Sequence, residues 1–347
     1  MKKSNRRKTT KVEPHVSQRL YPLEPLELTG LSTYPLSTRP AKVNVREFAK
    51  PVSPNAQFSD FFDSLPSILA ANGLREVRDA LIRARREKRT IIWGIGGHVI
   101  KVGLAPILID LMKRGYVSAI AMNGAAMVHD FEIALSGGTS EDVDGALGSG
   151  KFGMAEETGR YLNEAATQAQ QQGTGLGEAT GRLLDEPLLK AKFPESSILV
   201  QAYVARVPVT VHLAIGTDIP HMHHTASGEA LGAATHHDFR LFCALVKSMQ
   251  PGGAYLNWGS AVILPEVFLK AVTVARNLGA RLEPITTANF DFIQHYRPLQ
   301  NVVKRPTSKR AGAKVSSRGY SITGHHEIMM PLLAAALADR QRHGTRA

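Results

Sequence analysis

Residues 90–143, TIIWGIGGHVIKVGLAPILIDLMKRGYVSAIAMNGAAMVHDFEIALSGGTSEDV, constrain the fold more than any other stretch. An apolar run at 90–95 is short enough for a buried strand and closes in a glycine turn, Gly94, Gly96 and Gly97. An amphipathic run follows at 104–114, Gly115 stops it, and a second apolar run occupies 117–122. Apolar run, turn, helix, apolar run is the pattern of a β-α-β unit with parallel strands. After Asn123-Gly124 a further helix begins, carrying His129, Asp130 and Glu132. Open α/β sheets bind ligands just past the carboxyl ends of their strands, so a pocket is expected here.

The same alternation continues through the chain. Residues 60–86 read as one or two helices. Further helices are expected at 153–172, 178–189, 228–249, 261–278 and 325–337, and strands at 197–203, 207–213, 254–256 and 281–286. Such alternation implies an α/β domain with a doubly wound, mainly parallel, Rossmann-like sheet covered on both faces. That domain is expected over 58–347. Residues 1–57 hold seven of the 19 prolines and read as a basic, Pro-rich tail and an extended arm suited to wrap a partner subunit.

Composition narrows the classes. No apolar run approaches a membrane span, and the basic start has no apolar segment of a secretory signal behind it. The single cysteine, Cys243, excludes an internal disulfide, and its apolar context reads as a buried thiol in a reducing, cytoplasmic setting. The net charge of +12 gathers at two places, 2–11 and 304–318, leaving the body near neutral. No aromatic side chains interleave with those charges, so nucleic acid is not an expected partner.

Four groups of residues carry candidate chemistry. Gly94-Ile95-Gly96-Gly97 is half of a dinucleotide fingerprint whose last glycine position is Val99; a tight turn explains it equally. His129 and Asp130 are neighbours on a helix start and point apart. The stretch 216–240 holds His221, His223, His224, His236 and His237; the H-x-H spacing of His221 and His223 suits a metal, which makes a metal-dependent hydrolase an alternative. Asp291, His295 and Arg297 follow a strand, and His325, His326 and Glu327 open the last helix.

With these residues in view, the chain from about 70 to 337 resembles the deoxyhypusine synthase superfamily. Its central block is also similar to the NAD-binding domain of alternative ornithine cyclodeaminases. Asn123 through Glu132 resembles their Asn-Ala-x-x-x-His-Asp-x-Glu motif; VPVTVHLAIGTDIPHMHH and TTANFDFIQHYRP resemble strand-end and ribose-holding segments of the synthase. The resemblance implies NAD as cofactor, held by Gly96, Gly97, Asn123, Gly124, Asp130, Asp218, Gly259 and Asp291. It implies catalytic roles for His223, His129 and Lys304, and a homotetramer or homodimer. The implied reaction is hydride abstraction from a small amine or amino acid, polyamines included, through an imine, followed by transfer or C–N cleavage. The chain departs from the synthase at its Trp-Gly-Lys step, where Pro306 falls in place of lysine, and at the paired acids, where Val128-His129 stand. Deoxyhypusine formation itself is therefore not what these residues indicate. A non-catalytic NAD-binding protein is the other alternative.

Overall fold

The computed structural model describes residues 21–309 and 315–343, with side chains through residue 338. The basic stretch 2–11, and Arg310 and Lys314 of the second one, lie outside the described residues. Contacts divide the chain into two units, Met1–Asn44 and Val45–Ala347. In the first, residues 21–44 are exposed extended chain with a 3-10 turn at Leu36–Thr38.

The second unit carries helices α1 (Phe58–Ser64), α2 (Leu69–Arg86), α3 (Gly97–Lys101), α4 (Ala105–Lys113), α5 (Gly124–Ser136), α6 (Val143–Leu147), α7 (Glu156–Gln172), α8 (Leu176–Asp185), α9 (Ile198–Val204), α10 (Gly228–Ser248), α11 (Ile263–Asn277), α12 (Tyr296–Pro298, continued by a π-helical turn to Lys304) and α13 (His326–His343). Its strands are β1 (Ile91–Ile95), β2 (Ala119–Asn123), β3 (Val209–His212), β4 (Ala254–Trp258), β5 (Thr286–Asp291) and β6 (Arg318–Thr323). Every pairing is parallel, in the order β3-β2-β1-β4-β5-β6. This is the expected doubly wound α/β fold. No helix among the described residues is long and apolar enough to cross a membrane.

The two-residue period of a strand sorts its side chains onto two faces. Ile91, Trp93 and Ile95 join Leu81, Leu108, Phe131 and Leu333 in one buried cluster. Ile92 and Tyr255 join Phe242, Val246, Leu264 and Phe268 in the other, with Cys243 at its margin. Each fully buried large side chain stabilises by about 1.5–3 kcal/mol relative to leaving it in water. Because both faces are covered, strands such as Ile91–Ile95 are apolar throughout, which is why the sequence shows a solid run there.

Three expectations need correction. Residues 197–203 form helix α9, not a strand. The Ser197 side chain accepts from Val200 N, and Asp130 accepts from Ile198 N and Leu199 N, so the free N–H groups of a helix start are satisfied. The segment is apolar because the helix is largely buried, and a short apolar run does not distinguish the two. The strand placed at 281–286 begins where that range ends. Strand β6 was not anticipated; as an edge strand it leaves Arg318, Ser321 and Thr323 exposed.

The outer edge of β3 is closed by side chains of α10. Asp238 Oδ2 accepts from Val211 N (2.8 Å) and from Gly177 N at the start of α8 (3.0 Å). Thr235 Oγ1 accepts from Leu213 N and donates to Val211 O. These bonds stand in for a neighbouring strand and protect the edge. Burial pushes the Asp238 carboxyl up to about 7, so the native state holds its proton where the unfolded chain has released it. Stability should therefore fall as pH rises from about 4 to about 7, and level off above. Asp238→Asn removes this fall, so the Tm advantage of the wild type over the variant should shrink across that window. Asp238→Ala, which orphans two N–H groups, should cost at least about 2 kcal/mol at any pH. A wild-type advantage over Asp238→Asn that is constant with pH would contradict this.

Candidate functional site

The strand order reverses between β1 and β4: β1 continues through α3 and α4 to β2 on one side, and β4 through α11 to β5 on the other. Ligands of open α/β sheets lie in the crevice at such a switch point. Gly96 N donates to Trp258 O (2.8 Å), and a Cβ on Gly96 would lie 2.4 Å from Gly259 O. Gly259 has a left-handed φ of +67°, donates to Phe290 O, and packs so tightly on His326 that a Cβ would lie 2.6 Å from its Cε1. Only glycine at both positions allows the two turns to meet. Trp93, Trp258 and Phe290 stack beneath them at 5.7 and 4.0 Å.

His326 closes one side. Its Nε2 donates to Phe290 O (3.2 Å), lies 3.8 Å from Asp291 Oδ1, and its ring is 5.5 Å from that of His98. Burial lowers its pKa. His326 Nδ1, Trp258 Nε1 and Asn257 Oδ1 are buried without a protein partner. Such atoms are rare in folded interiors.

On the other side, Gly97 presses α3 onto α5; a Cβ there would lie 2.9 Å from His129 Cδ2. Beside this contact opens a cleft of about 230 Å³, lined by Lys101, Ala125, Val128, His129, Glu132, Ser140, Glu141, Val143, Phe152, Thr217, Asp218 and Ile219. Three of these are carboxylates. Glu132, Ser140 and Glu141 also line a wider groove of about 780 Å³ reaching Arg160, Tyr161, Lys190 and Lys192. Glu132 accepts from Thr139 Oγ1 (2.5 Å) and Thr158 Oγ1 (3.0 Å). With its hydroxyl hydrogen donated in the bond to Glu132, Thr139 Oγ1 accepts from His129 Nδ1 at 2.7 Å, which leaves Nε2 as the lone-pair nitrogen. Burial first, then the Lys101 charge, lower His129 to about 4. At neutral pH the ring is uncharged, and Nε2 is free to accept a hydrogen bond.

Asp218 stands over the first turn of α5: its carboxylate accepts from Ala214 N (3.0 Å), and a Cβ on Gly124 would lie 2.2 Å from its Cγ. A negative group is favoured at this helix end, while burial raises its pKa. Asn123 caps the same helix by accepting from Ala126 N (2.9 Å). Thus Gly96, Gly97, Asn123, Gly124, His129, Asp218, Gly259 and Asp291 gather at the carboxyl ends of the sheet.

Three other expected site residues lie elsewhere. Asp130 is fully buried and spends both oxygens on Ser197 Oγ (2.6 Å), Ile198 N and Leu199 N. His223 Nε2 donates to Gly153 O (2.9 Å), and its Nδ1 would lie 1.9 Å from a Cβ on Gly159, so the ring is a bracket against α7 and does not line the cleft. Lys304 is exposed, and the adjacent Val302 and Val303 carbonyls face Thr287 and Gly319 in the amino-terminal halves of β5 and β6, away from the crevice. His221 Nδ1 accepts from Gly216 N (3.2 Å), a different direction from His223; the intervening 3-10 turn Ile219–Met222 spreads the two rings that an extended H-x-H would align. Among the described residues no group of three His, Cys, Asp or Glu is placed to hold a metal. Glu132 stood with His129 on the helix where a pocket was expected; Lys101, Thr139, Glu141 and His98 were missed as site residues. His98 had a signal, directly following Gly96-Gly97; Thr139 sits in a loop with none.

No family model matches the chain, and no curated protein matches it. Solved structures similar to it include ArgZ, an arginine dihydrolase from the ornithine-ammonia cycle in cyanobacteria, at 16% identity and a TM-score of 0.45 over 78% of this chain. AgrE, solved with ornithine and NAD+, is similar at 15% identity and a TM-score of 0.49, also over 78%. The chain spans only 32% of ArgZ and 33% of AgrE. A putative deoxyhypusine synthase from Entamoeba histolytica is similar at 11% identity and a TM-score of 0.46, over 84% of this chain and 96% of its own.

Replacing Lys101 with Gln removes one of the two influences that lower His129. The His129 pKa, followed by NMR of the ring, should rise from about 4 yet stay below the ordinary 6.5, because burial is the larger cause. An unchanged or lower value would contradict the arrangement.

Proposed function

We propose that the chain is an NAD-dependent enzyme acting on a small amine or amino acid, with transfer or C–N bond cleavage to follow. The observation that carries the reading is the 230 Å³ cleft beside the switch-point crevice, lined by Glu132, Glu141 and Asp218 against a single Lys101. Ligand pockets are typically about 300–1,000 Å³, so this cleft suits a small molecule and is too small for a dinucleotide. NAD belongs in the neighbouring crevice, near Gly96, Gly97, Gly259 and Asp291, where three buried polar atoms lack protein partners. When bound there, NAD supplies a hydride acceptor for a carbon that bears nitrogen.

The protein's own groups then have distinct tasks. The carboxylates attract and orient an ammonium group, and Lys101 suits the carboxylate of an amino acid. Neutral His129 accepts a hydrogen bond or proton at Nε2, while Glu132, through Thr139, steadies the resulting charge. His326, near Asp291 and His98, lines the opposite wall. A homo-oligomer is part of the proposal; Leu23, Leu26 and Leu36 on the extended segment are 80%, 87% and 72% exposed, more apolar surface than such a segment ordinarily leaves bare.

Diamines and basic amino acids should reduce NAD in the presence of wild-type protein, followed by NADH absorbance. His129→Asn should lower kcat by about 10² or more with a smaller effect on KM. NAD binding without turnover of any amine would overturn the enzymatic reading in favour of a non-catalytic NAD-binding protein.

A further inference from the structure

At the opposite, amino-terminal end of the strands, α2 and α4 both finish, and a cleft of about 450 Å³ opens between them. Arg85, Lys88, Arg89, Lys113 and Arg114 line it, and no carboxylate does. Helix ends explain only part of this gathering. Each carboxyl terminus carries about half a negative charge, so two of them offset about one of the five cations. Arg114 pairs with Asp110 (2.8 Å), and Arg85 lies over the Tyr116 ring at 5.0 Å. Lys88 and Lys113 have no ion pair among the described residues. Arg89 donates once, to Gln250 Oε1 (3.2 Å), and its Nε is buried without a protein partner. Like charges held around one concavity repel each other, and a bound anion relieves that cost.

We propose that this cleft binds a compact polyanion, a small ligand carrying two or more linked phosphates. Asp110 and the Arg86–Glu87 pair adjoin the cleft, so the basic surface is a patch and not a track. Among the described residues no aromatic side chain lines the cleft, and the Tyr116 ring beneath Arg85 is buried, so they offer no stacking platform of the kind a single-stranded nucleic acid needs. The site is separate from the proposed NAD crevice and does not depend on it.

The test is calorimetry of inorganic tripolyphosphate against the full chain at physiological ionic strength, with and without saturating NAD. Saturable binding, unaffected by NAD and weakened at least about tenfold in Lys88→Asn/Lys113→Gln, is expected. The control Lys190→Asn/Lys192→Gln removes the same charge from another surface, and its left-handed position at Lys190 (φ +53°) matches Lys88 (φ +52°). The control should bind as the wild type does. Absence of binding, or equal weakening in both variants, overturns the proposal. Tighter binding of a single-stranded oligonucleotide that is lost in the Lys88/Lys113 variant would also overturn it, assigning the cleft to nucleic acid.

Discussion

The carboxyl end of the sheet is organised by one close approach, the backbone of Gly96 against that of Gly259. It joins the turn after β1 to the turn after β4, the two places where the chain leaves the switch point in opposite directions. A side chain at either position would force the turns apart. The stacked Trp93, Trp258 and Phe290 give the turns a rigid floor, and Gly97 extends the same logic sideways by bringing α3 onto His129. The crevice and the cleft are therefore two consequences of one packing constraint.

Within that frame, burial sets the charge states. The same loss of water lowers His129 and His326 and raises Asp218, so the imidazoles are held neutral and the carboxylate is eased toward its protonated form. Glu132 accepts hydrogen bonds from Thr139 and Thr158. The arrangement is a neutral acceptor backed, through one hydroxyl, by a carboxylate. Asp130 and Asp238 also sit in low-water surroundings, but both oxygens of Asp130 and Oδ2 of Asp238 accept from backbone N–H groups, and their work is to hold α9, α8 and the β3 edge in place.

The β1-α-β2 block was legible because both its strands are buried on two faces and bounded by glycine, so periodicity, composition and turn chemistry agreed. The position of the glycines and Asn123 at the carboxyl end of the sheet was legible because they lie next to strand ends in the sequence. Asp130 was not separable from His129 by adjacency, since successive helix residues differ by about 100° in direction and only one of the two can face the cleft. His223 was misplaced because a 3-10 turn, invisible in composition, redirects it to Gly153. Glu141 reaches the cleft, and Thr139 reaches His129 and Glu132, only through a loop fold that no local pattern announces, and α9 resembled a strand because its burial hid the helical period.

The proposed function requires NAD in the switch-point crevice. Ala125 lines the cleft, packs on Gly97 where the cleft adjoins the crevice, and is exposed at the start of α5, so a larger side chain there can reach across to obstruct the crevice without disturbing the core. Calorimetry of NAD against the wild type and Ala125→Phe tests the claim most directly. The account predicts one-to-one micromolar binding to the wild type and its loss in the variant, with the melting temperature unchanged. No binding to the wild type, or equal binding to both proteins, would contradict it.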